Sequence, residues 1–199
     1  MQRFISTSLI IALLGLIILW TGCGGGKQPG PTGEIKVDDT ISVPDWFLNP
    51  PEDPDHLYAP ATAAKKDMQL AINTAKHQGE VSITGQIETK VSALFKNFME
   101  EAGAGEDSEL LALTTSASKS VVSDSINFCK AAKQEVKKEG TLFRAYVLME
   151  MPIGAAYADM MAQVKSNKHM YDRFRATQAF DELNEEVEKY EQFKKEQGR

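Results

Sequence analysis

The feature that most constrains the fold is a long run of helix-forming sequence from about Ala63 to Ala102. Apolar residues recur there at three-to-four spacing, which predicts one amphipathic core helix. The recurring residues are Ile72, Ala75, Ile83, Ile87, Val91, Leu94, Phe95 and Phe98. Gly79 and Gly85 each weaken a helix by roughly 1 kcal/mol relative to alanine, so we expect a bend or break between Gln78 and Thr84.

Strand patterns lie on both sides of this run. Ile126–Lys137 and Thr141–Met151 are joined through Gly140, which predicts a β-hairpin. The second strand places Phe143, Ala145, Val147 and Met149 on one face and Arg144, Tyr146 and Glu150 on the other. Leu57–Thr62 is typical of a further short strand, in which Pro60 marks an edge or a bulge.

The remaining segments complete the predicted architecture. Asp107–Val122 and Ile153–Lys165 have helical patterns, whereas the prolines between Pro44 and Ala64 disfavour a helix. We therefore expect Trp46, Phe47 and Leu48 to form an extended arm that packs on the domain. The fold class is α+β, with a small antiparallel sheet packed against a long helix and an additional C-terminal helical segment.

The C-terminal segment contains no helix breaker from Met170 until Gly198. Its apolar residues repeat at alternating four and three spacing, as a short heptad seam. They are Ala176, Phe180, Leu183, Val187 and Tyr190. So few heptads leave two interpretations open, a helix docked on its own domain or a helix for self-association or partner contact.

The N-terminus has the pattern of a bacterial lipoprotein signal. Arg3 supplies a basic start, Leu9–Trp20 an apolar run, and Thr21 and Gly22 the small residues before a cleavage site at Cys23. The pattern predicts that residues 1–22 are removed. A transmembrane anchor with an incidental cysteine is the alternative, although the apolar run is short for a spanning helix.

Cys23 would then carry a thioether-linked diacylglycerol, and its freed amine would be acylated, typically with palmitate. Several acyl chains give stable membrane anchoring, since each buried methylene contributes roughly 0.8 kcal/mol. Gly24 in place of aspartate favours delivery to the outer membrane, with the domain facing the periplasm or the surface. Residues 23–43 are rich in glycine and proline, which is typical of a flexible tether.

Composition excludes some partners. The formal net charge is -6, and removal of one arginine with residues 1–22 would make it -7. This acidic balance argues against nucleic acid or anionic lipid as the main partner. Only Cys129 would remain as a free thiol, so no internal disulfide is expected, and its apolar surroundings predict a buried role.

No catalytic or metal-binding motif is apparent in the sequence. His56, His77 and His169 lie in separate segments without a ligand at metal-binding spacing. The paired acids Glu100–Glu101 and Glu185–Glu186 are typical of solvated helix faces. We therefore expect a protein that is not an enzyme and that has no cofactor apart from the covalent lipid on Cys23.

Three motifs carry a family resemblance: PDWFLNPP at 44–51, LYAPATA at 57–63 and FRAYVLMEMP at 143–152. Together they resemble the LPP-twenty lipoprotein family over residues 44–152, although Ala59 and Pro60 stand where glycines are common. The resemblance implies an α+β domain of bacterial surface and outer-membrane lipoproteins, including components of the flagellar basal disk. It brings no catalytic residues. Trp46, Tyr58 and Tyr146 would be its packing aromatics, with recognition as the alternative role.

These observations divide the chain into a signal peptide (1–22), a lipidated tether (23–43), the LPP-twenty-like domain (44–152) and a helical extension (153–199). The leading hypothesis is a lipid-anchored lipoprotein that scaffolds an envelope assembly, including one at the flagellar base. Its partner would bind through the C-terminal helix, or the helix would mediate self-association. A module that binds a small ligand or peptidoglycan is the second hypothesis, and a hydrolase of wall material is the third.

Overall fold

The structure, a computed structural model, describes residues 42–196. These residues belong to one compact unit, Ser42–Arg199. The predicted signal peptide, Gly22, Cys23 and most of the tether lie outside the described part of the chain.

The described residues form three strands, six α-helices and a 3₁₀ turn. In chain order these are α1 (Asp45–Leu48), β1 (His56–Lys65), α2 (Met68–Glu101), α3 (Ser108–Ser125), the 3₁₀ turn (Ile126–Phe128), β2 (Lys130–Glu139), β3 (Leu142–Pro152), α4 (Ile153–Ser166), α5 (Lys168–Phe174) and α6 (Gln178–Glu196). The predicted α+β class, with a small antiparallel sheet packed against helices and a C-terminal helix, is confirmed.

The sheet is antiparallel, with β3 between β1 and β2. At one end His56 of β1 lies opposite Pro152 of β3, and at the other end Lys65 lies opposite Phe143. β2 pairs with β3 along most of its length, with one bulge near its start. β1 and β2 are therefore the two edges of the sheet.

The backbone direction of β1 explains why it tolerates a proline. The Asp55 carbonyl accepts a hydrogen bond from Ile153 N at 3.0 Å, so odd-numbered residues direct their backbone groups toward β3. The Tyr58 carbonyl instead accepts a hydrogen bond from Gln86 of α2. Pro60 shares the parity of Tyr58, so its missing N–H lies on the outer edge and costs no bond to β3.

Helix α2 covers one face of the sheet and is longer and more regular than predicted. The expected bend or break between Gln78 and Thr84 was wrong, because the helix runs without interruption over 34 residues. A Cβ added at Gly79 would lie 2.4 Å from Cγ of Met149, so glycine lets the helix approach β3 closely. Packing against the sheet offsets the low helix propensity of glycine here.

The start of α2 was also predicted too early. Residues Ala63–Lys65 continue β1, where Ala63 pairs with Ala145. The helix begins only at Met68, and the Asp67 side chain accepts a hydrogen bond from Leu70 N at 2.7 Å. An aspartate cap that satisfies a free backbone N–H fixes this start.

The arm before β1 covers the opposite face of the sheet. Phe47 contacts the ring of Tyr146 edge to face, with ring centroids 5.2 Å apart. Tyr146 is buried beside this ring, and Leu148 of the same strand is also buried. The expectation of an extended arm was wrong in part, since Trp46, Phe47 and Leu48 lie in the one-turn helix α1 and Leu48 stays exposed.

The hairpin is present, but its first strand begins at Lys130 rather than at Ile126. Residues Ile126–Phe128 form a 3₁₀ turn that continues α3, and Cys129 N bonds to the Ile126 carbonyl. β2 is exposed over most of its length. The central β3 carries Ala145, Val147 and Met149 into the core beneath α2.

The C-terminal segment is divided into α5 and α6, so the prediction of an uninterrupted helix from Met170 was wrong. Thr177 Oγ1 donates to the Phe174 carbonyl at 2.7 Å and accepts from Phe180 N at 3.2 Å. Glu101 of α2 also accepts a hydrogen bond from Ala179 N. The local bonds of Thr177 and one tertiary bond from Glu101 therefore end one helix and begin the next, and they leave Ala176 between the two helices.

Helices α4, α5 and α6 share the core of the sheet and α2. Phe174 stacks on Phe98 of α2 with ring centroids 4.9 Å apart, and both side chains are fully buried. Met160 and Leu183 belong to the same apolar cluster. Within residues 42–196 no helix is both long and apolar enough to span a membrane.

Candidate functional site

A cleft of about 350 Å³ lies at the end of the sheet where β1 begins and β3 ends. Its walls come from the loop before β1, the junction of β3 with α4, and the C-terminal half of α6. The lining residues are Asp53, Asp55, His56, Pro152, Ile153, Gly154, Glu186, Lys189, Tyr190 and Phe193. A cleft of mixed polar and aromatic lining is the usual form of a small-molecule site.

Gly154 determines how closely α6 approaches the base of the cleft. An added Cβ at this position would lie 2.5 Å from Cβ of Tyr190 and 2.6 Å from Cγ. The Tyr190 side chain therefore rests directly on the backbone of the first turn of α4. This contact forms one wall of the cleft, and it would be lost with any larger residue at 154.

The polar groups of the cleft are held in pairs. His56 Nδ1 lies 3.0 Å from Asp53 Oδ2, and Asp53 Oδ1 accepts a hydrogen bond from Asp55 N at 2.8 Å. On the facing helix, Lys189 pairs with Glu186. Phe193 closes the rim with its ring 6.1 Å from the His56 ring and nearly perpendicular to it.

The cleft combines ionisable side chains with apolar walls. Its lining includes carboxylate, imidazole, ammonium and phenol groups, which can bind a polar molecule. Asp53 fixes the orientation of the His56 ring, and Phe193 and Tyr190 supply apolar walls. Such a cleft can hold a small polar molecule that has an apolar part. The described residues contain no group of three His, Cys, Asp or Glu side chains arranged to hold a metal ion.

The structure separates the three aromatic residues that the sequence singled out. Trp46 and Tyr146 lie in one aromatic cluster, because both flank Phe47 on the outer face of the sheet. Tyr58 stacks instead beside His56, with ring centroids 6.2 Å apart. Burial raises the pKa of Tyr58, and the carboxylates of Glu150 and Asp53 raise it further. Tyr58 is thus nearer to the cleft than the other two.

The apolar residues of the predicted interaction helix face the protein's own core. Phe180 and Leu183 are buried in the central cluster, and Val187 and Tyr190 are partly buried against it. Tyr171 of α5 also contacts the Phe180 ring edge to face. A partner would therefore meet the outer, acidic face of α6 rather than this seam.

Cys129 is half-buried, and burial raises the pKa of its thiol to about 11, with a further contribution from Glu80. Its Sγ lies 3.7 Å from the Ser125 carbonyl. A thiol of this pKa is almost entirely protonated at neutral pH, so it is a poor nucleophile.

A second groove, of about 330 Å³, lies on the other side of Tyr190, where Phe128 and Asp159 contribute to its walls. Asp159 Oδ2 is closed off from solvent and has no hydrogen-bond partner among the described residues. Burial raises the pKa of this carboxyl, and the nearby Asp124 raises it further.

Sequence reasoning missed most of the cleft. Asp53, Gly154 and Phe193 were not singled out, and His56 was considered only for the absence of a metal-binding partner. The local sequence DPDH, with an aspartate three residues before a histidine, is the one signal for the Asp53–His56 pair. No sequence signal connects these residues to α6, because the contact depends on how the C-terminal helices fold back.

Comparison with known proteins identified no relative. No protein-family profile, curated protein or solved structure matches this chain. The resemblance to the LPP-twenty lipoproteins therefore rests on the three sequence motifs alone.

Proposed function

We propose that this protein is a lipid-anchored bacterial envelope lipoprotein with a structural role, delivered to the outer membrane. The observation that carries the proposal is the N-terminal sequence, in which an apolar run ends at Thr21, Gly22 and Cys23. The compact unit begins at Ser42, which leaves a connecting segment of glycine-rich sequence after Cys23. This order of signal, cysteine, linker and domain is the order that such lipoproteins require.

Acyl labelling in cells tests the anchor. We expect the wild-type protein to incorporate a radioactive or clickable fatty acid and to fractionate with the outer membrane, whereas Cys23→Ala should do neither. Cys129→Ala is the matched control, because it removes the other cysteine and should leave labelling intact. Label that persists in Cys23→Ala would contradict the proposal.

The scaffolding role is supported by the surface of α6. Its apolar side packs on the domain, while its exposed side presents a row of carboxylates to a partner. The acidic residues of this helix are Asp181, Glu182, Glu185, Glu186, Glu188, Glu191 and Glu196. A basic surface of an envelope or flagellar component, or of another copy, is the partner that this charge favours.

In-cell crosslinking followed by mass spectrometry tests the partner. We expect envelope components to be recovered with the lipidated protein and to be lost after charge reversal of Glu182, Glu185 and Glu188. Equal recovery with this triple variant would contradict a role for α6. Recovery of the protein alone would assign the helix to self-association.

The cleft supports a second candidate function, that of a module binding a small ligand or peptidoglycan fragment. Its volume of about 350 Å³ and its His56 and Phe193 side chains are the specific observations that favour this function. A muropeptide that fills the cleft should raise the melting temperature, because a ligand bound only by the folded state stabilises that state. Phe193→Ala should remove this shift without unfolding the domain, since Phe193 lies at the exposed rim.

A further inference from the structure

Basic residues from all three strands meet at the hairpin end of the sheet, opposite the cleft. The cross-strand register places Lys65 of β1 in one row with Phe143 of β3 and Lys138 of β2. The next row contains Arg144 and Lys137. Lys66 follows β1 directly. We refer to Lys65, Lys66, Lys137, Lys138 and Arg144 as the basic end.

Part of this positive charge is free of internal compensation. Arg144 is bound by Glu139, and Lys137 lies 3.1 Å from Glu135. The ion pairs found within residues 42–196 do not involve Lys65, Lys66 or Lys138. Lys66 and Lys138 are exposed. These lysines are therefore available to an external anion.

Exposed apolar side chains lie beside the basic end. Met68 and Leu70, at the start of α2, are 48% and 53% exposed. They follow Lys66 within four residues of the sequence, at the same end of the sheet. Lysines together with exposed large apolar residues are typical of surfaces that insert into the headgroup region of a bilayer.

The two ends of the sheet differ in charge, although both signs occur at each. Lys189, Lys194 and Lys195 of α6 lie toward the cleft, and Asp67, Glu135 and Glu139 lie among the residues of the basic end. The acidic helix α6 reaches the cleft at the His56 end through Tyr190 and Phe193. β1 spans ten residues from His56 to Lys65, about 30 Å at the rise of a strand. The net charge of -6 is a sum over the whole chain and does not describe the charge at either end. For this reason the sequence alone predicted no contact with anionic lipid.

The chain enters the domain at the basic end. The Ser42 carbonyl and its hydroxyl both accept hydrogen bonds from Lys137 Nζ, the second at 2.9 Å. Ser42 is the first described residue, and Cys23 precedes it in the sequence. The described chain thus begins beside Lys137, at the same end of the sheet as Lys65, Lys66 and Lys138.

We propose that the basic end docks on the anionic phosphate headgroups of the bilayer to which the chain is anchored. Lys65, Lys66 and Lys138 contact the phosphates, and Met68 and Leu70 enter the headgroup region. The acidic helix α6 then points away from the membrane, toward its partner. The location at a bilayer rests on the proposed function, whereas the lipid contact is a property of the domain itself.

Vesicle co-sedimentation of the unlipidated chain, residues 24–199, tests the contact apart from the anchor. This form retains the whole compact unit. We expect binding to vesicles that contain phosphatidylglycerol, weak binding to phosphatidylcholine alone, and loss of the difference at high salt. Equal binding to both vesicles would overturn the proposal, even if acyl labelling shows that Cys23 carries lipid.

Two triple variants of equal charge locate the surface. Lys65→Glu, Lys66→Glu and Lys138→Glu together should weaken binding roughly a hundredfold. Each lysine near an anionic surface increases the affinity for that surface about fivefold, and the three effects multiply. Lys90→Glu, Lys119→Glu and Lys168→Glu change the net charge equally on exposed positions elsewhere. This control should bind much more tightly than the first variant. Equal losses in the two variants would overturn the proposal.

A third variant tests the apolar contribution. Met68→Ser with Leu70→Ser should weaken binding severalfold while the preference for phosphatidylglycerol remains, because the lysines are retained. Circular dichroism of each variant establishes that it is folded before binding is compared. Unchanged binding in this folded variant would overturn the insertion of Met68 and Leu70.

Discussion

At the scale of single residues, Asp159 shows how burial changes the behaviour of a side chain that the sequence presents as ordinary. One of its oxygens is buried without a partner among the described residues, and Asp124 is close enough to raise its pKa further. Such a carboxyl is more easily protonated in the folded protein than in the unfolded chain. It therefore opposes folding once it is ionised.

The pH dependence of this effect has a defined sign. The pKa of Asp159 is higher in the folded protein than in the unfolded chain, where it has the ordinary value of 3.8. Its contribution to the stability of the fold is therefore fully present below pH 3.8, and it is lost as the pH rises through the folded-state pKa. Asp159→Asn should therefore raise the free energy of unfolding at neutral pH, by less than about 1 kcal/mol, because the carboxyl is only partly buried and Gln163 lowers its pKa. The gain should vanish near pH 3.

Urea unfolding at several pH values measures this difference. Glu106→Gln is the control, because it removes one negative charge at an exposed position. Its effect should be small at every pH. A gain for Asp159→Asn that persists below the ordinary pKa of aspartate would contradict the assignment.

The residues of the cleft show which contacts a sequence can predict and which it cannot. The Asp53–His56 pair spans three positions and is within reach of local patterns. The contacts of Gly154 with Tyr190 and of His56 with Phe193 join distant segments, and no periodicity encodes them. The cleft could therefore not be predicted, although each of its segments could.

At the scale of elements, the three-to-four spacing of apolar residues predicted that α2 would form. It did not predict that the helix would run without a break past Gly79 and Gly85. Helix propensity counts Gly79 and Gly85 alike, whereas the structure distinguishes them. Gly79 faces Met149 at close range, while a Cβ at Gly85 would meet nothing within 4 Å. The first glycine is required by packing, and the second only lowers the stability of the helix.

The two glycines give a paired prediction. Gly79→Ala should lower the free energy of unfolding by about 1–3 kcal/mol, because the added methyl group forces Met149 and the helix apart. Gly85→Ala should raise it by up to about 1 kcal/mol, because alanine favours the helix. Chemical denaturation of both variants measures the difference. Equal signs would show that contact with β3 is not what requires glycine at position 79.

The division of the C-terminal segment into α5 and α6 was also not predicted from the sequence. The sequence from Met170 contains no glycine or proline before Gly198, so the only local signal of an interruption is Thr177, a residue type that can cap a helix. The interruption depends on Thr177, which is buried and bonded to the ends of both helices, and on Glu101 of α2. Bonds from a distant helix are outside the reach of local pattern analysis.

At the scale of the whole molecule, the C-terminal helices are part of one core with the sheet. Phe174 and Leu183 are fully buried against residues that come before Pro152 in the sequence. Heptad spacing identified the apolar seam of α6 but left open what covers it. The described fold covers it with the protein's own α4 and α2 rather than with another chain.

Truncation should therefore unfold the domain. A chain that ends at Lys165 loses the Phe174 and Leu183 side chains. Removal of each large buried apolar side chain costs several kcal/mol, whereas the whole free energy of unfolding of a domain is about 5–15 kcal/mol. We expect it to lack a cooperative thermal transition. A chain that ends at Phe193 keeps both residues and should melt cooperatively. Cooperative melting of the shorter chain, measured by circular dichroism, would contradict the shared core.

The unbroken helix α2 provides the molecule with an internal length standard. Its 34 residues span about 51 Å at the rise of an α-helix, without a break in the helix. Two spectroscopic labels on exposed positions near its ends would report a separation that is insensitive to salt, lipid and ligand. Changes in any other measured distance, such as that from the bilayer to α6, could be calibrated against it.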